Sequence, residues 1–532
     1  MDRKINFFDS RKRDEYKKIL SKNKFDVLVI GGGITGAGVC LDTTSRGLKT
    51  CLIDMNDFAS GTSSKSTKLI HGGLRYLEQF KFKLVHETGS ERAVLSKIAP
   101  HIVKPEKMLL PIKKEGKLNM FLTRIALVIY DYLANVKITD KNKILSRGDT
   151  FLKEPLLKKH NVLGGAYYSE YRTEDNRLTI EIIKKSYELG SSPINYMKAI
   201  NFIYKDNKVI GVKCKDKIDG TILELYAQNI INASGSWTDE VLNDKEKKLV
   251  LSKGIHIVVS REKFNLSQSI YFDAIDGRMI FAIPREDKVY IGTTDTEFNK
   301  EKDKLIVLKK EVNYLLNSLN ETFLVSLNLK HIESSWVGLR PLIKDGHKKV
   351  SEVSREDEVF ISKEGIITIA GGKLTGYRKM AERVVDLIFR KNNMPKRRSL
   401  TKNLKLFGNK HDKLRSEIIE LGFSQEQFNK YYNNYGDKCF EIFKTLKKKS
   451  KLDDVNLLIS EYAYCLKKEM CHNLLDFFSQ RNSMIYYNLD KVLSLIQENR
   501  KELTEVSGIS EKKWNEQLID LKKYIDQITT FN

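Results

Sequence analysis

The chain has 532 residues, 41% of them apolar, with 24 Phe and 23 Tyr, which excludes a disordered protein and allows two or three domains around a large core. Its 93 Lys and Arg against 69 Asp and Glu leave a formal charge of +24. That balance suits solvated lysine-rich faces, an anionic substrate or an anionic lipid surface. Lysine runs such as 447–449 are scattered and no nucleic-acid module accompanies them, so a nucleic-acid or anionic-surface binder is a minor alternative, and no nucleic-acid partner is expected. The six cysteines form no C-x-x-C pair, no metal site is expected, and MDRKINFFDSRKRDEYKK at the N-terminus has no apolar core of a secretory signal. These features predict a reducing, cytoplasmic location with free thiols.

FDVLVI, residues 25–30, reads as a fully buried strand. GGGITGAG follows, opening a helix that runs to Arg46 with Gly47 as its stop. LKTCLID, residues 48–54, is a second strand ending on Asp54. Gly31, Gly33 and Gly36 thus form G-x-G-x-x-G between a strand and a helix, and Asp54 lies 23 residues beyond Gly31. Glycine permits the tight turn, the approach of a pyrophosphate and close helix packing. The helix N-terminus offers N–H groups to phosphate, and an acid after the second strand can hold an adenosine ribose. In this context the motif predicts a dinucleotide site.

SSKSTKLIHGGLRYLEQF, residues 63–80, combines hydroxyls, lysines, a Gly-Gly pair and an Arg-Tyr pair in a way that neither a core element nor a solvated loop requires. KLNMFLTRIALVIYDYLANVK, residues 117–137, is the longest apolar stretch, but Arg124 and Asp131 make it too short and too charged to span a bilayer. It reads either as a buried helix or as an interfacial one anchored by Tyr130, Tyr132 and the flanking lysines. Between 195 and 233 a meander of short strands ends in IINASGSW, where Ala233, Ser234 and Gly235 leave room beside an adenosine. A nucleotide domain assembled from distant segments is the habit of glutathione-reductase-type FAD proteins and disfavours a nicotinamide-linked dehydrogenase. Strand-like IHIVVS (255–260), MIFAIP (279–284), KVYIGTTD (288–295) and IITIAGG (366–372) follow, and beyond about 405 the chain reads as helical and charged. The expected fold is α/β with an α+β cap. A discontinuous Rossmann-like FAD domain (22–112, 165–240, 350–395) carries an antiparallel-sheet substrate domain (113–164, 241–349) and a C-terminal helical domain (405–532).

The stretches IGGGITGAG, TSSKSTKLIHGGLRYLE, WVGLRPL and GGKLTGYRKMAE, in this order, resemble the FAD-dependent sn-glycerol-3-phosphate dehydrogenase family, flavoproteins of the D-amino-acid-oxidase superfamily. The likeness runs from about 25 to 390 and continues more loosely through the C-terminal helices. It implies that Thr62, Ser63, Ser64, Ser66, Thr67 and Lys68 wrap the FAD pyrophosphate and flavin, and that His71, Gly72 and Gly73 line the isoalloxazine. Arg75 and Tyr76 would then face the substrate. Arg340, Arg355 and Lys373 add cationic groups suited to a dianionic phosphate, and Lys373, counted with His256 and Arg340 among the catalytic residues, would add its charge either to the flavin or to that phosphate. Gly371, Gly372, Leu374 and Thr375 would present a turn and a helix start to the flavin edge that gains negative charge on reduction. His256, in a run of apolar residues, matches a family histidine at the substrate and is nominated as the base that takes the C2 hydroxyl proton; Arg340 is the alternative, orienting or acidifying that hydroxyl.

The implied reaction is hydride transfer from C2 of sn-glycerol 3-phosphate to flavin N5, giving dihydroxyacetone phosphate, with electrons passed to a quinone or another respiratory-type acceptor. Peripheral contact with the inner face of the cell membrane and a homodimer belong to the same expectation. A glycerol-3-phosphate oxidase making hydrogen peroxide is the nearest rival, disfavoured because those proteins carry an additional insertion. Asp54 stands where many members have Glu and Ser234 where many have Thr, both mild departures. FFSQR keeps only part of the family's C-terminal arginine-rich pattern.

Overall fold

Val27, Leu28 and Val29 have no exposed surface, so the strand Lys24–Ile30 is covered on both faces, as a parallel strand flanked by helices must be. In the computed structural model, which describes residues 8–71, 82–114, 120, 123–125, 127, 129, 141–243, 247–344, 357–408, 411–446 and 452–532, it is the middle of an eight-stranded sheet. It pairs in parallel with Thr50–Ile53 on one side and Ile222–Asn232 on the other. Ser192–Ile194 extends the first side, and Ile367–Gly371, edged by antiparallel Asp357–Ile361, extends the second. The meander is present as Met197–Lys205, Lys208–Asp216 and Ile222–Asn232, joined as antiparallel hairpins. Helix Ile34–Ser45 packs so closely under helix Tyr377–Lys391 that a Cβ on Gly38 would lie 2.7 Å from the Tyr377 ring.

A second sheet of ten strands forms the other wall. Its spine is the twelve-residue antiparallel pair Leu249–Ser260 and Ile332–Ile343. Lys288–Gly292, Met279–Arg285 and Ser269–Asp273 follow, then Lys104–Lys113, Val162–Arg172 and Leu69–Ile70. Three of these strands, Leu69–Ile70, most of Lys104–Lys113 and most of Val162–Arg172, lie in the stretches 22–112 and 165–240 expected in the FAD-binding domain, so that stretch of chain contributes to both sheets. Periodicity marks a strand without saying which sheet it joins. The chain crosses between sheets at Lys68, a non-glycine residue at φ +56°.

The C-terminal helices, from His411–Glu420 to Glu511–Thr529, share one apolar core with the second sheet through Tyr290, Trp336, Tyr462, Phe477 and Trp514. A π-helical turn, Asp476–Arg481, projects the fully buried Arg481 onto Asp57, just past the first βαβ unit, at 2.5 and 3.0 Å. Ser334 and Ser335 donate to the carbonyls of Tyr486 and Ile528 at 2.5 and 2.8 Å. The six cysteines are free and buried. The apolar stretch 117–137 lies for the most part outside the described residues, and no described helix is long and apolar enough to cross a membrane.

Candidate active site

A cleft of about 1340 Å³ opens between the two sheets, larger than the roughly 300–1,000 Å³ that holds a single small ligand. At one end it is built from backbone. Gly31 adopts φ +113°, and a Cβ there would lie 2.5 Å from the Ala233 carbonyl; one on Gly36 would overlap the Gly31 carbonyl. These two glycines seat helix Ile34–Ser45 with its N-terminus toward the cleft, where Gly33, Ile34 and Thr35 form part of the wall. Ser63 Oγ accepts the Ile34 N–H at 2.8 Å and keeps its own proton. Asp54 accepts N–H groups from Gly32 and Asn56 at 2.6 and 2.9 Å, and burial pushes its carboxyl up to about 7. Across the cleft, Ala233 and Gly235, at φ +58°, offer almost no side chain, while Ser234 folds back onto Asn232.

The 62–71 segment runs along the wall with most of its polar atoms committed to the protein. Thr62 donates to the Leu339 carbonyl at 2.6 Å and Ser66 to Asp175 at 2.7 Å. The Lys65 ammonium is held by the hydroxyls of Tyr524, at 2.8 Å, and Tyr486. Two residues of this segment expected at the cofactor do not line the cleft, nor does Gly36. Ser64 is buried and donates to Gly61, and Lys68 is buried in an ion pair with Asp175 at 2.6 Å. Thr67 and His71 do line it, and Thr375 donates to the His71 carbonyl at 3.2 Å. Gly371 and Gly372, at φ +76° and +79°, make the turn that brings Lys373, Leu374 and Thr375 to the same wall. Gly72, Gly73, Arg75, Tyr76 and Arg355 lie outside the described residues.

At the far end Arg340 enters from the second sheet. Its guanidinium donates to Thr293 Oγ1 at 2.8 Å, the Thr294 carbonyl at 3.2 Å and Ser252 Oγ at 3.3 Å. Gly254 makes this possible, because a side chain there would occupy the place of the guanidinium. Arg278, which sequence reading did not single out, joins it at the cleft wall. It is steadied by Asp276 at 2.7 Å and donates to the Asp295 carbonyl at 3.1 Å, so two arginines flank Asp295. Its only sequence signal is position, one residue after the turn glycine Gly277.

His256 lies one hydrogen bond behind the cleft wall instead of in it. Its ring is 1% exposed, stacks on Trp336 at 4.8 Å, and meets Thr67 Oγ1 at 3.0 Å through Nε2. Burial, reinforced by the charges of Arg340 and Lys68, holds it well below the ordinary imidazole range, so it is neutral.

A dinucleotide cradle at a βαβ switch, facing a cation-lined second sheet, defines an FAD dependent oxidoreductase. Residues 26–378 match the family model of that description, and residues 399–514 match the C-terminal domain of alpha-glycerophosphate oxidase. The chain belongs to the FAD-dependent glycerol-3-phosphate dehydrogenase family. It is 41% identical to an aerobic glycerol-3-phosphate dehydrogenase of Staphylococcus epidermidis over 98% of both chains. It is 42% identical to one from Staphylococcus aureus over 91% of both. The crystal structure of glycerol-3-phosphate dehydrogenase from Bacillus halodurans complexed with FAD superimposes with a TM-score of 0.83 at 37% identity, covering 98% of this chain and 99% of that one. The L-alpha-glycerophosphate oxidase of Mycoplasma pneumoniae, 15% identical with a TM-score of 0.56 over 72% of this chain and 98% of its own, shares the fold.

Proposed function

We propose that the protein oxidises sn-glycerol 3-phosphate to dihydroxyacetone phosphate and passes the electrons to a membrane quinone. The observation that carries this is one continuous cleft lined by a dinucleotide cradle at one end, by Arg278 and Arg340 at the other, and by Lys373 on the wall. A neutral alcohol has no use for three cations, whereas a dianionic phosphate takes paired hydrogen bonds from guanidinium groups. The cradle fits FAD: Gly31 and Gly36 let helix Ile34–Ser45 sit with its N-terminus at the cleft, Ala233 and Gly235 offer almost no side chain there, and Ser63 has a hydroxyl proton to give. In this reading Gly31, Gly33, Gly36 and Ser63 hold the pyrophosphate, Asp54 the ribose, and Gly371 to Thr375 with His71 the flavin. Bound FAD supplies the acceptor for the hydride that leaves the alcohol carbon. Arg340 and Lys373 hold the substrate, with Arg75, Tyr76 and Arg355 joining them by family resemblance. The fixed charge of Arg340 also lowers the cost of negative charge growing on the alcohol oxygen.

The names of the staphylococcal relatives support a respiratory acceptor, and a peripheral, inner-face membrane position and a homodimer accompany that reading. The fold of the Mycoplasma oxidase keeps peroxide production as the second reading. Anaerobic addition of glycerol 3-phosphate to the purified yellow protein is the test. Bleaching by this compound and not by glycerol or lactate is expected; a flavin that stays oxidised removes the proposal. Peroxide formed at the turnover rate when air is readmitted would assign an oxidase.

A further inference from the structure

Among the hydroxyls at the cleft, several have spent their protons: Thr62 and Ser236 on Leu339, Ser66 on Asp175, Ser234 on Asn232 and Thr375 on His71. Thr67 differs. It lines the cleft, and its Oγ1 meets His256 Nε2 at 3.0 Å with no other hydrogen bond among the described residues. The direction of that bond follows from the other side of the ring. His256 Nδ1 is buried and has no hydrogen-bond partner among the described residues. A proton on Nδ1 would bury an N–H donor with no acceptor, which folded proteins rarely tolerate; an unpaired ring lone pair is the lesser cost. Arg340 and Lys68 are the charged groups facing the ring, and both oppose a second proton. His256 therefore carries its single proton on Nε2 and donates it to Thr67. The Thr67 hydroxyl, having received that bond, turns its own proton elsewhere, and the open direction is the cleft.

The surroundings hold this arrangement still. Trp336 stacks on the imidazole with the planes 13° apart, and a Cβ on Gly292 would collide with the ring. Tyr290 donates its hydroxyl to the Thr67 carbonyl at 3.2 Å.

We propose that Thr67 is a catalytic hydrogen-bond donor into the cleft and that His256 is the positioning residue that aims it. This rests on the proposed dehydrogenase reading and changes the part His256 plays in it: the histidine acts through Thr67 and takes no proton from the substrate. The acceptor is a heteroatom that gains negative charge as electrons move, either on the flavin ring or on the alcohol oxygen of the substrate.

The test uses the full-length, FAD-loaded protein and the variants Thr67→Val, Thr67→Ser and His256→Phe. Thr67→Val should slow anaerobic flavin reduction by glycerol 3-phosphate roughly ten- to a hundredfold, the range for losing a hydrogen bond to a charged group. Thr67→Ser should stay within a few-fold of the parent. His256→Phe should slow reduction without removing a limb from the pH profile, and the double variant with Thr67→Val should be no slower than Thr67→Val alone. A more negative midpoint potential of bound FAD in Thr67→Val, measured without substrate, identifies the flavin as acceptor. An unchanged potential with weakened binding of dihydroxyacetone phosphate identifies the substrate oxygen. Parental reduction by Thr67→Val, or an additive double variant with a lost pH limb in His256→Phe, overturns the proposal. If His256→Phe does not fold, the Val and Ser variants of Thr67 still decide it. If the parent is not bleached by glycerol 3-phosphate, the dehydrogenase reading fails while the potential measurement still reports on Thr67.

Discussion

Asp54 carries a pH dependence whose sign can be worked out. Its carboxyl sits at about 7 in the protein, above the ordinary range of about 4, because burial disfavours the charge more than two N–H donors favour it. Ribose hydroxyls donate, so the cofactor selects the carboxylate. FAD affinity of the cofactor-free protein should therefore be flat above about pH 7 and fall by up to tenfold per unit below it, a change that fluorescence titration can follow. The same shift withdraws stability from the cofactor-free protein as pH rises from about 4 to about 7, since only the protonated side chain is at ease there. Gly36→Ala places a methyl group inside the Gly31 carbonyl and should yield protein with little flavin absorbance. Arg340→Ala removes a three-way anchored guanidinium and should lower kcat/KM roughly ten- to a hundredfold. Arg340→Lys should restore only part of this, because an ammonium keeps the charge and loses the fork.

Between elements, one fully buried tie of the C-terminal helices to the nucleotide domain is Arg481 with Asp57, at 0% and 2% exposure. Arg481→Ala leaves a buried carboxylate without its partner and should cost about 3–5 kcal/mol in urea or thermal unfolding. This tie also marks the limit of sequence reading. The glycines at 31, 33 and 36 and the acid at 54 were legible because each answers a local backbone constraint within one βαβ unit, and the small residues at 233–235 because they end the strand that pairs beside it. The orientations of Ser64, Lys68 and His256 were not, because their partners lie far along the chain: Lys68 is turned by Asp175, 107 residues on, and His256 is covered by Thr67 and Trp336. His256 sits in a strand buried on both faces, so alternation cannot say which neighbours it meets. Arg278 escaped notice for a similar reason, being one arginine among many until the second sheet closes around Asp295.

For the molecule as a whole, a formal charge of +24 and a cation-lined cleft act together on an anionic substrate. Substrate affinity should weaken steadily as salt rises from about 10 to 500 mM, while a neutral competitor of similar size feels little change.

The interlock through Arg481 also bears on how the protein is made. Asp57 and its partner are separated by 424 residues, so at roughly 5–20 residues per second a ribosome needs about 20–85 s to supply the second half of the grip. Flavin capture should accordingly be a late, post-synthetic event. Nascent chains stalled before residue 481 should emerge with the glycine loop complete and yet retain little flavin, and a cell short of the vitamin would accumulate full-length, colourless protein instead of truncated fragments.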